Sequence, residues 1–200
     1  MTLEMISIGV LLGIRHAFEP DHLAAISTQV AQENKFIHQL KQGIAWGVGH
    51  TLFLVVIASI ILLTQLHIPK NLELIIECSI GILLITIGIY SIKRNVATEK
   101  NTTSATSTLT ATKKSFLIGS AHGLAGSSAI VLLVSTLFSN KLTGLVYILI
   151  VGIGSIVGMS LITSLFRLLP SQKNKRIEQI AGVVSIIVGI LVILKTINLF

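Results

Sequence analysis

The stretch Ile8-Gly9-Val10-Leu11-Leu12-Gly13-Ile14-Arg15-His16-Ala17-Phe18-Glu19-Pro20-Asp21-His22-Leu23-Ala24-Ala25-Ile26 decides how the rest of the chain is read. Its flanks are apolar enough to lie in a bilayer. Its centre sets Arg15, His16, Glu19, Asp21 and His22 around a proline. An ionisable side chain at mid-bilayer costs roughly 2.5–3.5 kcal/mol even on the mildest insertion scale. Five such groups within one short run need compensation, and a bound cation supplies it. Pro20 lacks an amide N–H and clashes with the preceding turn, so the helix is expected to break at this motif. Freed backbone groups are tolerated in a membrane where they line a cavity or meet a ligand.

Composition extends the membrane reading to the whole chain. Of its 200 residues 52% are hydrophobic and 12% charged, with a mean hydropathy of +0.87. A soluble domain carries about 25% charged residues. A span takes about 20 apolar residues. Six spans are expected, over 5–29, 43–65, 73–92, 115–138, 143–168 and 176–198. The first is too long and too polar at its centre for a cleavable signal peptide. The expected fold is an all-α polytopic membrane protein of six transmembrane helices.

The net charge of +7 is explained by where the cations fall. Eleven lysines and arginines, from Lys35 to Arg176, lie in or beside the connections after spans one, three and five; Lys70, Lys141 and Lys195 lie on the other side. By the positive-inside bias the first group faces the cytoplasm and both termini face outward. Orientation in a plasma membrane accounts for the basic balance, so nucleic-acid binding is not expected. The single cysteine, Cys78, excludes a thiol relay.

Asn101-Thr-Thr-Ser-Ala-Thr-Ser-Thr-Leu-Thr-Ala-Thr112 has too little apolar surface to offset ordering entropy and reads as part of a flexible cytoplasmic linker over 95–114. It separates a three-helix half, 1–94, from another, 115–200. Gly13-Ile-Arg-His16-Ala matches Gly119-Ser-Ala-His122-Gly, and Ile76-Glu77 through Gly81 matches Ile177-Glu178 through Gly182. With three spans per half, the halves are inverted repeats, a transporter architecture whose substrate site lies near the midplane on broken helices.

His16, Glu19 and His22 are spaced by three, which stacks them on one face of a continuous helix. Asp21 needs the break at Pro20 to turn inward. Imidazole with carboxylate suits borderline divalent metals such as nickel, cobalt and zinc. His50 and His122 lie at similar depth in their spans and are further ligand candidates. Each also has a plainer reading, a hydrogen bond to a neighbouring carbonyl. Glu19 has one too, an ion pair with Arg15. Arg15, Thr51, Ser127 and Ser128 are candidates for supporting hydrogen bonds around the ligands. His38 and His67 fall in connections and are expected to be solvated.

These residues resemble the nickel/cobalt transporter superfamily. His-x-x-x-x-Asp-His is its signature, and His16, Asp21 and His22 match it in full. Arg15 through Ser27 is most similar to the urease-accessory membrane branch of that superfamily. Gly49-His50-Thr51 resembles its Gly-His-Ser/Thr motif, and Ala121 through Ser127 the fourth-span motif of its six-span members. The eight-span members carry a further acidic motif and usually Asp where this chain has Glu19. The resemblance implies transmembrane transport of nickel(II), or cobalt(II), as substrate with no prosthetic group. It also implies a link to maturation of a nickel enzyme such as urease, and is compatible with a homo-oligomer. The linker has no histidine, unlike the efflux branch, which favours uptake.

A competing expectation is an intramembrane hydrolase, using zinc on three histidines or Ser127 or Ser128 paired with a histidine. His-Glu-x-x-His and Gly-x-Ser-x-Gly are both absent. No P-loop is present either, so the chain is expected to be a secondary transporter and not an enzyme.

Overall fold

The computed structural model describes residues 2–31, 33, 35–64, 69–97, 108–125, 134, 136–166 and 175–199. The helices that carry the fold are α1 (Leu3–Ala17), α2 (Pro20–Val30), α3 (Phe36–Thr64), α4 (Lys70–Ala97), α5 (Thr108–Ala125), α6 (Lys141–Leu165) and α7 (Lys175–Leu199).

The expected first span is two helices, and local chemistry explains the division. The last turn of α1 tightens as the Phe18 and Glu19 amides donate to Arg15 and His16 carbonyls, each at 3.0 Å. Glu19 is extended (φ −63°, ψ 146°), the region that a following proline favours. Pro20 then opens α2, where its missing N–H is no loss. The break therefore puts His16 on the last turn of α1 and Asp21 and His22 on the first turn of α2.

Four helices, 36–64, 70–93, 141–165 and 176–197, are long and apolar enough to cross a membrane. They agree with the second, third, fifth and sixth expected spans. The fourth, 115–138, is described as α5 and, beyond it, Val134 and residues 136–138; its centre lies outside the described residues. The polar linker differs from its expected bounds at both ends. Helix α4 runs on to Ala97, and α5 begins at Thr108. Neither Gly nor Pro interrupts Thr108 to Ile118, so nothing in that segment stops a helix. Residues 98–107 lie outside the described residues.

Helix α1 packs along α6, α3 is held between α5 and α6, α4 lies on α7, and α2 packs mainly on α7. Small residues let these backbones close up, as they must where lipid offers no hydrophobic drive. A methyl group at Gly123 would overlap the His50 carbonyl, and one at Gly119 the Trp46 carbonyl, so α5 rides directly on the backbone of α3. The outer surfaces of α4 and α7 carry exposed Ile75, Ile82, Ile180, Ile187 and Leu194, as a bilayer-facing surface would.

Two apolar cores lie on either side of a polar layer. Call the side on which α2 ends and α3 begins the linker side, and the opposite side, where α1 and α6 begin, the N-terminal side. The N-terminal-side core gathers Leu54, Ala58, Tyr147, Ile148 and Val151. The linker-side core gathers Ile26, Val30, Trp46, Leu84, Met159 and Ile162. Between them lie the histidines.

Candidate metal site

Four helices each bring one part of the site. His16 comes from the end of α1, Asp21 and His22 from the start of α2, His50 from the middle of α3, and His122 from α5. All four histidines are buried, His50 and His122 completely. The His22 ring centroid lies 4.4 Å from that of His16, 5.1 Å from His50 and 4.6 Å from His122. Positions that sequence alone offers as separate candidates are one cluster.

Two groups of ligand atoms form within it. One is His16, His22 and His50; the other is Asp21, His22 and His122; in each, one ligand atom per residue lies within 4.8 Å of the others. Metal–nitrogen bonds of about 2.0–2.1 Å put ligands on a common ion roughly 3–4 Å apart. His22 belongs to both groups.

Hydrogen bonding shows what the cluster is short of. Asp21 Oδ2 lies 2.9 Å from His122 Nε2 in a hydrogen bond and 3.1 Å from His22 Nδ1 without hydrogen-bond geometry. Among the described residues, six buried imidazole nitrogens of the cluster have no hydrogen-bond partner: His16 Nε2, both of His22, both of His50, and His122 Nδ1. Each such group costs about 1–3 kcal/mol if nothing meets it. Native interiors keep such groups few, and an ion is among the standard explanations. The plainer reading of His50, a hydrogen bond to a neighbouring carbonyl, is not what the structure shows.

Glu19 is half-exposed, with its Oε2 3.1 Å from His16 Nδ1, so it turns to this imidazole and not to Arg15. Arg15, His16 and Glu19 line a cavity of about 190 Å³ with Tyr147 and Val151 of α6. It reaches His16 from the N-terminal side. Thr51 is next to His50 but turns away: its Oγ1 donates to the Gly152 carbonyl at 2.9 Å and ties α3 to α6. Ser127, Ser128 and His67 lie outside the described residues. His38, expected in a connection, lies instead in the first turn of α3, its Nδ1 3.5 Å from Glu33 Oε2.

Sequence reasoning missed two things. The second half has no carboxylate beside His122, yet Asp21 crosses from the first half to supply one. Trp46 was not singled out, although its ring centroid is 5.4 Å from those of His22, His50 and His122 and lies parallel to His50. The available signal was its spacing: residues 46 and 50 sit one above the other on a helix.

The model of the family described as high-affinity nickel-transport protein, NicO, matches residues 2–91. A second comparison covers nearly the whole chain: it is 34% identical over 204 residues to the urease accessory protein UreH of Bacillus sp. (strain TB-90), spanning 94% of this chain and 90% of that one. The chain belongs to the NicO family. No solved structure matches it. Membership makes this NicO chain a multi-pass membrane transporter in a nickel-transport family and not an enzyme. The matched segment contains the α1–α2 break, Trp46 and His50, while His122 lies beyond it.

Proposed function

We propose that this NicO chain is a secondary permease that takes nickel(II), and with it cobalt(II), into the cell across the plasma membrane. The ligands are His16, Asp21, His22, Glu19, His50 and His122, with Arg15 at the mouth of the cavity. The observation that carries the reading is the set of six buried imidazole nitrogens without partners, gathered from four helices in the polar layer of a membrane protein. A divalent cation takes one nitrogen from each ring it meets, and neutral imidazole with one or two carboxylates is a donor set for nickel or cobalt. A negative-inside potential draws a divalent ion inward with about 4.6 kcal/mol per 100 mV. The name of the UreH relative supports a role in supplying nickel to urease or another nickel enzyme.

The proposal includes six crossings, both termini outside, and two inverted three-helix halves, 1–94 and 115–200, joined by a cytoplasmic linker. Reciprocal contacts between α4 and α7 support the repeat. A methyl carbon at Gly81 would sit 2.7 Å from the Gly189 carbonyl, and one at Gly189 would sit 2.6 Å from the Gly81 carbonyl. Gly88 and Gly182 face each other in the same mutual way. Two-fold related helices make such contacts. Neighbours also adjust the register of the first helices. Gly13 abuts Val151 as Gly123 abuts His50, so by contacts Gly13 corresponds to Gly123, one turn beyond its sequence match at Gly119.

The test is nickel uptake into proteoliposomes with an imposed inside-negative potential, with cobalt, zinc and magnesium as competitors. Saturable uptake that cobalt inhibits and magnesium does not is the expected result. No uptake by a well-folded preparation would sink the reading.

A further inference from the structure

The cavity lined by Leu12, Arg15, Glu19, Tyr147 and Val151 touches the histidine cluster from the N-terminal side. Of the four clustered histidines, His16 is the one that lines it. On the linker side the cluster meets apolar packing. Trp46 lies at that boundary, fully buried and one turn nearer the linker side than His50. Its ring covers three of the four imidazoles, and behind it lie Ile26, Met159 and Ile162. An ion held among these imidazoles would have the indole on its linker side.

Two further features single out this side chain. The indole Nε1 is buried with no hydrogen-bond partner among the described residues, so its present position leaves a donor unmet there. A buried tryptophan normally finds an acceptor for that group. The backbone beneath it is held closely, because α5 seats Gly119 against the Trp46 carbonyl. A displacement of the indole would therefore come from its side-chain rotamer and not from the α3 backbone.

We propose that the Trp46 indole is the movable barrier that closes the ion path on the linker side of the histidine cluster, and that its displacement lets the ion pass. This rests on reading the histidine cluster as a metal site. Trp46 is not a ligand. It occludes the site, and its removal acts on passage more than on binding.

The chain has one tryptophan, so its intrinsic fluorescence reports this contact alone. The experiment titrates nickel(II) into purified wild-type protein by calorimetry and by tryptophan fluorescence. It then measures nickel flux into chelator-loaded proteoliposomes for wild type, Trp46→Phe and Trp46→Ala. Open-shell nickel(II) bound in van der Waals reach of the indole quenches it, so the two midpoints are expected to coincide. Both variants are expected to keep nickel affinity within about threefold, as a gating residue would. Flux through Trp46→Ala should lose saturation and become a leak, with Trp46→Phe intermediate. Calorimetric binding without a fluorescence response would overturn the contact. Saturable flux at the wild-type rate in the variants would overturn the barrier. Should Trp46→Ala fail to fold, the rate and saturation of Trp46→Phe decide. Absence of calorimetric binding in the wild type is a different failure: it removes the metal-site reading itself.

Discussion

His122 Nε2 and Asp21 Oδ2 lie 2.9 Å apart although 101 residues separate them. The bond joins the first turn of α2 to α5, and so the first half of the chain to the second. It also leaves a carboxylate between two imidazoles, since Asp21 is 3.1 Å from His22 Nδ1 as well. A site assembled this way depends on both halves being in place. Any rearrangement of one half against the other changes the ligand set that an ion meets.

Asp21→Asn should lower nickel affinity by at least about tenfold, because it removes the charge that orients two ligand imidazoles. His122→Ala should do the same from the other end. Calorimetry on purified variants that elute as folded protein checks both. Wild-type affinity in both would confine binding to the His16, His22 and His50 group.

His22 is shared by both ligand groups, whereas His16, His50 and His122 each serve one. His22→Ala should therefore cost more affinity than any of the other three single changes. Ranking the four alanine variants by nickel Kd tests this, and a His22→Ala variant no weaker than His16→Ala would contradict it. Glu19→Gln keeps an oxygen donor at the half-exposed ligand of the cavity mouth and removes only its charge, so it should lower uptake at low nickel by only a few-fold.

Gly123→Ala should destabilise the protein by about 1–3 kcal/mol, since the new methyl overlaps the His50 carbonyl and forces α5 off α3. Nickel binding should weaken with it, because His50 is on the displaced strip. Gly144→Ala is the control: its nearest neighbour is a side-chain methyl, of Val134 at 3.1 Å, and not backbone. Thermal unfolding in detergent separates the two, and equal midpoints would contradict the close seam.

Reporter tags inserted within 98–107 should be protected from protease outside intact cells, while tags at either terminus should be cleaved. The charge split between the two sets of connections is the warrant. Cleavage of the 98–107 tag from outside would reverse the orientation and with it the side from which the cavity fills.

The sequence by itself determined what short-range physics controls. Runs of Leu, Ile and Val mark the spans because transfer of apolar side chains into lipid is a property of each segment. Pro20 ends α1 because its ring and missing N–H act on adjacent residues, whatever surrounds them. His16, Asp21 and His22 were legible as a site because polar groups so close together in an apolar run are expensive without a ligand. Tertiary structure alone decided which partners they meet. Glu19 faces His16 rather than Arg15, Thr51 turns to Gly152, and Asp21 reaches His122. Trp46 covers the imidazoles because α5 seats Gly119 and Gly123 on α3 and so sets the distance between those helices. Such contacts depend on the rotation and depth at which whole helices interlock. Those are set by packing summed along each seam, and no local window of sequence contains that sum.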